Sequence, residues 1–544
     1  MTISDSSFIT RIIKKLKNLN ISIHVIFASV IAFIALSLYI NTLSYNYILD
    51  DHQLIEKNTL VSKGLSGIPH LLSSHYWAGT KQPDHGIYRP LSLITFAVEK
   101  QLFGYNPAIS RFVNILLYIF TGTLMYLILT MLFKLKSPWI PFLITVLFIS
   151  HPVHTEVIAT IKGRCELLSL LNGLLALYFT IRLVSLSENT TDKFINCLLS
   201  GFFFMLALLS KEIAFAFIII IPSAVYFFYS NKPLNHMIIA GTYLITAFIY
   251  FIARILVLGG LSPGFREPII YPLILITNIW DRLATALFIM GNYLKLLIIP
   301  HPLNFDYSFA QIPTLHLSSS SVVLTIISLA ILITIWFFGI KSKSPLSFGI
   351  ISFLCPLGIL FYYSFAAGYS MADRLLYLPS FGFCIAIVSA LSALKLSNKK
   401  IIIGILSISI IFIILSFERI PQWKNELTIS LNDIKTADKS CRAHYLAGTY
   451  MLKESQYHED YQHYINAAIS ALRKAVQIHP NFAVAYYNLG IAYEEAGKPL
   501  YAETAYKHSL LSKLRNADLA IKRLYEINKQ TGDTREADYY KNLI

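Results

Sequence analysis

Residues 21–52 read ISIHVIFASVIAFIALSLYINTLSYNYILDDH, an apolar run followed closely by two carboxylates. The run 21–43 is longer than the roughly 20 apolar residues that a helix needs to cross a bilayer. Asp50 and Asp51 therefore lie just past the first predicted span, at the membrane surface. A carboxylate there can act as a base on a soluble nucleophile while a second reactant stays in the lipid. The spacing alone leaves a helix N-cap equally open as the role of this pair.

The composition of the whole chain is that of a multispanning membrane protein. Of 544 residues, 55% are hydrophobic and 14% are charged, against about 25% charged in a soluble domain. The net charge of +15 would suggest a nucleic-acid partner for a soluble protein. Here much of the basic excess lies in short segments between apolar runs, as membrane topology requires. We therefore predict that the chain lies in a lipid bilayer and binds no nucleic acid.

Apolar runs predict about eleven membrane-spanning helices and hence an all-α fold. The runs are 21–43, 109–133, 138–150, 166–184, 194–209, 213–229, 236–257, 319–340, 346–365, 379–396 and 400–417. One further stretch, 283–299, would invert every later loop if it crossed the membrane. Because Lys295 interrupts it and Pro300 ends it, we predict a re-entrant or interfacial helix there.

Basic residues orient these spans, since Lys and Arg concentrate in cytoplasmic loops. They cluster before the first span and between later ones, at Arg11, Lys14, Lys15, Lys17, Lys134, Lys136, Lys341, Lys343, Lys399 and Lys400. A cytoplasmic N-terminus puts all of them on one side. The outer face then holds the segments 45–108, 150–164, 210–212, 258–318 and 366–378. No small-residue cleavage site follows the first run, so it is expected to remain as an anchor.

Beyond residue 417 the composition turns polar and a helical repeat begins. Small and aromatic residues recur as one tetratricopeptide unit requires, at Tyr486, Leu489, Gly490, Tyr493, Gly497, Ala502 and Tyr506. A preceding and a following copy are weaker, and Gly448 fits the first only if its loop is longer than usual. We predict a membrane domain over 1–420 and a short solenoid of about three units over 421–544, on the same face as Asp50. The solenoid is either an oligomerisation surface or a clamp for an acceptor polypeptide.

The predicted outer loops hold several polar groups that suit an anionic ligand. His151, His154 and Glu156 could bind a divalent metal, but no fourth ligand is evident locally, and we predict none. Arg164 offers a planar fork of donors that matches phosphate oxygens. For any single arginine, snorkelling or a salt bridge is the commoner role. Their occurrence on one predicted face favours recognition of a phosphate.

The order of the motifs suggests a family. They are Leu49-Asp50-Asp51-His52, Tyr88-Arg89-Pro90-Leu91, His151-Pro152-Val153-His154-Thr155-Glu156 with Gly163-Arg164, Ser210-Lys211-Glu212, Asn304-Phe305-Asp306-Tyr307-Ser308 and Arg374-Leu375-Leu376-Tyr377-Leu378-Pro379-Ser380, followed by the repeats. This order resembles the transmembrane and tetratricopeptide-repeat-containing protein O-mannosyltransferases of the glycosyltransferase C superfamily. The His-Pro-Val-His-Thr-Glu block is the most specific element. The repeat tail is shorter than the repeat arrays of that family. The resemblance therefore defines the reaction more closely than it defines the acceptor.

The resemblance implies an enzyme that moves a sugar, mannose in that family, from a polyprenyl-phosphate donor to a hydroxyl acceptor with inversion and without a further cofactor. The expected acceptor is a protein Ser or Thr bound by the repeats. Asp50, or else Asp51, would be the catalytic base. Groups expected to bind the donor phosphate are Arg89, His151, His154, Arg164, Lys211 and Arg374. Groups expected to line the substrate pocket are Glu156, Glu212, Asp306, Tyr307 and Tyr377.

Two other functions remain open at this point. A transporter or flippase for lipid-linked sugars also needs outer-face arginines but no base. A membrane-anchored scaffold would use only the repeats. The many Ile, Lys and Asn residues suggest a bacterial inner-membrane protein with extracytoplasmic repeats; in a eukaryote the equivalent location is the endoplasmic reticulum membrane.

Overall fold

The computed structural model describes residues 22–134, 138–185, 189–229, 233–260, 266–394, 397–457, 459–512 and 517–543. Within these ranges the chain is helical and contains no strand, which confirms the expected all-α class. Part of the basic pattern used above, the N-terminal cluster from Arg11 to Lys17 and Lys136, lies outside the described residues.

The first 420 residues form a bundle of long apolar helices joined by short ones. The α-helices are α1 (Ile23–Tyr39), α2 (Ile68–Leu72), α3 (Pro90–Phe103), α4 (Pro107–Phe133), α5 (Trp139–Ile149), α6 (Thr155–Ala159), α7 (Arg164–Ser185), α8 (Thr190–Ser210), α9 (Phe217–Phe228), α10 (Pro233–Leu258), α11 (Ile279–Ile298), α12 (Ser320–Lys341), α13 (Pro345–Phe365), α14 (Tyr377–Ala393) and α15 (Asn398–Arg419). In the described chain nine helices are long and apolar enough to span a membrane: Ile23–Ser44, α4, α7, α8, α10, α12, α13, Asp373–Ala393 and Asn398–Lys424.

Two of the eleven predicted spans are shorter than expected. Over 138–150 the helix α5 has 11 residues and meets Pro152–Ala159 at a bend of 53°, so this pair makes at most one broken span. Pro152 lacks the N–H that a continuing helix would need, which accounts for the break. Over 213–229 the structure has a shorter apolar helix, Glu212–Phe228. The stretch 283–299 lies in α11, which carries Asp281, Arg282 and Lys295 and is not among the nine.

Glycines bring α13 and α14 into close contact. A Cβ atom on Gly382 would lie 2.2 Å from the backbone nitrogen of Phe353, and one on Gly349 would lie 2.5 Å from that of Ala386. Small residues at a crossing allow two membrane helices to approach until their backbones touch. This crossing fixes the start of α14 and, with it, the preceding turn Asp373–Leu376.

The last 120 residues form helix pairs that pack side by side. The helices are α16 (Glu426–Asp433), α17 (Cys441–Glu454), α18 (Tyr461–Ile478), α19 (Ala483–Glu495), α20 (Pro499–Leu511), α21 (Ala517–Thr531) and α22 (Thr534–Lys541). From α17 onward they make three pairs, where the sequence predicts about three repeat units. Gly490 lies against the ring of Tyr506, and Gly448 lies against Leu472. Gly448 therefore does belong to the first pair, whose connecting loop is the longer one.

The repeat domain contacts the membrane domain through the loop that precedes α12. The carboxylate of Asp433 accepts a hydrogen bond from the backbone N–H of Phe305 at 2.6 Å and one from the Arg419 guanidinium at 3.1 Å. The backbone N–H of Cys441 donates to the carbonyl oxygen of Phe309 at 3.3 Å. These contacts hold the first repeat helices close to the loops that carry Asp50.

Candidate active site

The segments predicted on the outer face meet at one end of the helical bundle. Lys162 forms an ion pair with Asp50, which joins the first loop to the turn before α7. Glu156 pairs with Arg374 at 2.6 Å, and Arg89 pairs with Glu212 at 2.7 Å. We call Asp50, Lys162, Glu156 and Arg374 the candidate site, because these side chains surround the most exposed carboxylate of the group.

Asp50 and Asp51 occupy different environments although they are adjacent. Asp51 is fully buried, and its carboxylate accepts hydrogen bonds from the backbone N–H groups of Ile48 at 3.2 Å, Ile161 at 3.3 Å and Lys162 at 2.8 Å. It therefore ties the first loop to the turn before α7. The side chain of Asp50 is 35% exposed and contacts the Lys162 ammonium. Of the two carboxylates, only Asp50 is partly exposed.

The backbone turn before Asp50 is left-handed. Leu49 has a φ angle of 51°, a conformation that costs an L-residue about 1–2 kcal/mol. Packing offsets that cost, because Ile48 and Leu49 lie in one apolar cluster with Phe305 and Trp423. The turn directs Asp50 away from this cluster while Asp51 points inward.

The charges around the two carboxylates favour ionised Asp50. Burial tends to raise the pKa of Asp50, but the charge and hydrogen bond of Lys162, together with the charges of Arg442 and Arg374, lower it below the ordinary value. Burial raises the pKa of Asp51, and the charge of Arg111 and the backbone N–H bonds offset this only in part. Asp50 is thus negatively charged at neutral pH and able to accept a proton.

Two arginines at this end of the bundle have their guanidinium groups fixed by carboxylates. Arg374 donates to Glu156 at 2.6 Å and to the hydroxyl of Tyr369 at 2.8 Å, and its side chain is 21% exposed. Arg89 donates from Nε to Glu212 at 2.8 Å. The second carboxylate oxygen of Glu156 is buried and has no hydrogen-bond partner among the described residues. The side chains of both arginines are partly exposed, and a guanidinium suits the binding of an anionic group.

Four of the six residues predicted to bind phosphate are buried and fully engaged within the protein. His154 bonds the hydroxyls of Tyr118 and Ser380, each at 2.8 Å. His151 donates to the carbonyl oxygen of Leu297 at 3.0 Å and accepts from the backbone N–H of Val153 at 3.4 Å. Their buried positions leave no face for a ligand. The prediction for this histidine pair is corrected to a structural role.

Arg164 and Lys211 are corrected in the same way. The Arg164 guanidinium is fully buried and donates to Asn114 at 2.8 Å, to Glu99 and to the carbonyl oxygen of Ser110 at 2.8 Å. Lys211 is 3% exposed and forms an ion pair with Glu166. Because every nitrogen of this buried guanidinium is engaged within the protein, Arg164 offers no exposed donor to a phosphate.

Three predicted pocket residues also have structural positions. Asp306 is buried and accepts a hydrogen bond from Ser440 at 2.7 Å. Tyr307 is buried and donates to Asp373 at 2.9 Å. The ring of Tyr377 is buried in α14, 4.8 Å from the His154 ring. Of the predicted pocket residues, Glu156 belongs to the candidate site as the partner of Arg374, and Glu212 pairs with Arg89.

The site also contains residues that the sequence did not single out. Lys162 pairs with Asp50, and Tyr369 bonds Arg374. The predicted outer segments also contain Lys57, Lys63, Lys81 and Lys100, so the sequence held no signal that singled out Lys162. In the described ranges no group of three or more His, Cys, Asp and Glu side chains is placed to hold a metal ion.

Comparisons with known proteins agree with the motif order. The TPR repeat family matches residues 465–497. Protein O-mannosyl-transferase F38B6.6 of Caenorhabditis elegans is 27% identical over 75% of this chain and 58% of its own length. The chain resembles the protein O-mannosyl-transferases. Protein O-mannosyl-transferase TMTC4 of Mus musculus is a further relative, 26% identical over 77% of this chain and 63% of its own.

The similarity is partial in length. The chain spans about three fifths of these curated relatives. Among solved structures, the Archaeoglobus fulgidus oligosaccharyltransferase in the apo form aligns with 82% of this chain and 59% of that chain, at 13% identity and a TM-score of 0.36. That score is too low to establish a shared fold. The family resemblance deduced from the motifs is confirmed, and the bacterial source stays a prediction.

Proposed function

We propose that this protein is a membrane glycosyltransferase that moves mannose from a polyprenyl-phosphate donor to a Ser or Thr hydroxyl of a polypeptide. One observation carries the proposal: Asp50 is a partly exposed, ionised carboxylate beside fixed cations, in a chain similar to protein O-mannosyl-transferases. The relatives support a sugar transfer to protein, and the donor and the stereochemistry are part of the proposal.

In the proposed step Asp50 acts as general base. It accepts the proton of the acceptor hydroxyl as the oxygen attacks the anomeric carbon of mannose. The bond from that carbon to the donor phosphate breaks, and the phosphate leaves on its lipid with the bonding electrons. A single displacement of this kind inverts the anomeric centre. Asp51 keeps its backbone contacts throughout and holds the loop.

Cations near Asp50 would stabilise the leaving phosphate. Negative charge grows on the phosphate oxygens as the glycosidic bond breaks, and donors already in place lower the barrier without reorganising. Arg374, held by Glu156, and Arg89, held by Glu212, are the donors that we assign to this task. Lys162, whose side chain is 26% exposed, can move from Asp50 to the phosphate when the donor binds. That exchange would free the carboxylate for the acceptor hydroxyl.

The proposed location follows from the chemistry. A polyprenyl donor keeps its tail in the bilayer and its sugar at the surface, where Asp50 lies just beyond α1. We place this end of the bundle and the repeat domain on the extracytoplasmic side. The repeats would then hold the acceptor polypeptide next to the site.

Transfer by the purified protein tests the proposal. The protein in detergent is incubated with radiolabelled polyprenyl-phosphate mannose and a panel of Ser- and Thr-containing peptides, with polyprenyl-phosphate glucose as the control donor. We expect label in peptide from the mannose donor. A transporter forms no product in detergent, where there is no second compartment. Label that stays on lipid with every peptide would contradict the proposal.

A further inference from the structure

Glu156 carries a buried carboxylate oxygen that has no hydrogen-bond partner in the part of the chain that the structure describes. Its Oε1 accepts from Nη1 of Arg374 at 2.6 Å, whereas Oε2 is shielded from solvent and accepts from no donor. The side chain is 7% exposed. Buried polar atoms in native proteins are almost always paired, so an unpaired one calls for an explanation. In the candidate site that explanation is a ligand which donates to this oxygen.

Two tyrosine rings adjoin the arginine that holds Glu156. The hydroxyl of Tyr369 accepts from Nη2 of Arg374 at 2.8 Å. The ring of Tyr369 meets that of Tyr271 edge to face, with the ring centres 5.5 Å apart. Both tyrosines are only partly buried. Aromatic side chains of this kind offer a large apolar surface with a polar tip. Glu156 and Tyr369 are thus joined through one guanidinium, with Tyr271 beside them.

Backbone contacts hold the two rings in place. The N–H of Leu273 donates to the carbonyl oxygen of Gly368 at 3.2 Å, and the N–H of Tyr369 donates to that of Tyr363 at 2.9 Å. Gly368 has a φ angle of 78°, and a Cβ atom there would lie 2.9 Å from the backbone nitrogen of Ile274. Glycine allows both the left-handed turn and this close approach. The segment that carries Tyr271 is therefore fixed against the turn that carries Tyr369.

The chemistry of these groups selects the ligand. A carboxylate oxygen accepts hydrogen bonds and repels phosphate, so Glu156 requires a donor such as a hydroxyl. Across the described ranges no group of three or more His, Cys, Asp and Glu side chains is placed to bind a metal ion instead. A pyranose carries hydroxyl donors and also a face of C–H groups that can pack on an aromatic ring. Apolar walls with a few placed polar groups are typical of sites for small molecules.

We infer that Glu156 and the Tyr271–Tyr369 pair form the subsite for the donor sugar, in which Oε2 of Glu156 accepts a hydrogen bond from one hydroxyl of the pyranose. This inference rests on the proposed function and names the groups that recognise the sugar. Arg374 then contacts the donor phosphate while its partner Glu156 contacts the sugar. Because Oε2 is covered in this structure, the partly exposed side chains of Arg374 and Tyr369 must shift as the sugar enters.

Equilibrium binding tests the inference without any need for transfer. The purified full-length protein in detergent is titrated with polyprenyl-phosphate mannose and, separately, with polyprenyl phosphate that carries no sugar. The ratio of the two Kd values measures the contribution of the sugar. Glu156→Gln keeps an amide oxygen for Arg374 and puts an NH₂ group, a donor, where Oε2 lies. The control is Glu212→Gln, which alters the ion pair with Arg89, and Glu212 has no buried unpaired oxygen among the described residues.

We expect Glu156→Gln to reduce the preference for the mannose donor about 10-fold, because a hydrogen bond to a charged group is about twice as strong as a neutral one. In Glu212→Gln both Kd values should rise together, so that their ratio is unchanged. Monodeoxy forms of the mannose donor identify the hydroxyl. One of them should bind the unaltered protein about 10-fold more weakly than the complete donor does, and Glu156→Gln should lose most of that difference.

A second variant keeps the test open if Glu156→Gln aggregates. Tyr271→Leu removes an aromatic face and should lower the same ratio, whereas its control Tyr362→Leu, at an exposed tyrosine, should not. The sugar subsite is overturned if Glu156→Gln and Tyr271→Leu leave the ratio unchanged, if Glu212→Gln lowers it equally, or if the unaltered protein binds the two ligands equally. Failure of the unaltered protein to bind either ligand, or binding without transfer to any peptide, overturns the proposed function instead.

Discussion

Asp50 and Asp51 have the same side chain and neighbouring positions, and their backbone surroundings separate their roles. The left-handed turn at Leu49 separates the two carboxylates, of which Asp51 is buried and Asp50 is partly exposed. Backbone N–H groups from two segments satisfy Asp51, whereas a lysine side chain is the partner of Asp50. A carboxylate bound by backbone groups cannot exchange partners during a reaction. One paired with a lysine can, and this difference is the reason for proposing Asp50 as the base.

Asp51→Asn tests the structural half of this assignment. The asparagine must present an NH₂ group where Asp51 accepts from backbone N–H groups, so a donor faces a donor. An unsatisfied buried group costs about 1–3 kcal/mol. We expect a lower melting temperature in detergent for Asp51→Asn, measured by differential scanning fluorimetry, while Asp50→Asn melts like the unaltered protein. Equal melting temperatures for Asp51→Asn and the unaltered protein would argue against an anchoring role.

The α13–α14 crossing shows how packing between helices sets the site. Arg374 lies in the turn immediately before α14, and α14 can occupy its place only because Gly382 and Gly349 allow backbone contact. Any side chain at these positions pushes the two helices apart. The guanidinium of Arg374 would then move away from Glu156 and Asp50.

Gly382→Ala measures this effect, with Gly358→Ala as the matched control. A Cβ atom at Gly382 would lie 2.2 Å from the backbone of α13, whereas at Gly358, in α13 itself, nothing lies within 4 Å. Overpacking typically costs about 1–3 kcal/mol. We expect Gly382→Ala to lower both the melting temperature and the rate of transfer, and Gly358→Ala to change neither. Identical behaviour of the two variants would show that the crossing is not tight.

A histidine links the Asp50 loop to the repeat domain in a pH-dependent way. His52 bonds Glu426 of α16 at 2.9 Å. This hydrogen bond raises the pKa of His52; burial opposes the rise, and Glu56 adds to it. The stabilising contribution is therefore complete below the unfolded pKa of about 6.5 and is lost as the pH rises through the higher folded-state value.

Hydrogen exchange across α16 measures this linkage. We expect amides of α16 to exchange faster as the pH rises through the folded-state pKa of His52, after correction for the intrinsic exchange rate. His52→Gln should remove the pH dependence while the control His316→Gln, which alters an ion pair with Asp281, should retain it. A corrected exchange rate in the unaltered protein that does not change with pH would contradict the link.

The sequence was sufficient where a feature depends on neighbouring residues. Apolar runs located most of the long helices, and the spacing of Gly490 and Tyr506 located the repeat. The sequence was insufficient where a feature depends on which side chain lies opposite another. Arg164 appeared free to bind phosphate because its partners, Glu99 and Asn114, come from two other helices. The contact of Arg442 with Asp306 was missed for the same reason, since the two residues are 136 positions apart.

The membrane domain and the repeat domain meet through polar contacts. Asp433 and Arg442 of the repeat domain contact Phe305 and Asp306 of the membrane domain. The lipid-facing helices, α12 above all, are largely exposed on the surface of the bundle, as expected for contact with a bilayer. In the proposed reaction, a membrane-bound donor and a repeat-bound acceptor would meet at Asp50.

The most direct test of this account is the transfer of mannose by Asp50→Asn, measured beside the unaltered protein with the same donor and peptide. Asparagine has nearly the same shape but cannot accept the proton, and loss of a general base costs about 10²- to 10⁴-fold in rate. We expect a loss of this size with an unchanged melting temperature and an unchanged KM for the donor. Transfer by Asp50→Asn at the rate of the unaltered protein would contradict the assignment of Asp50 as the base.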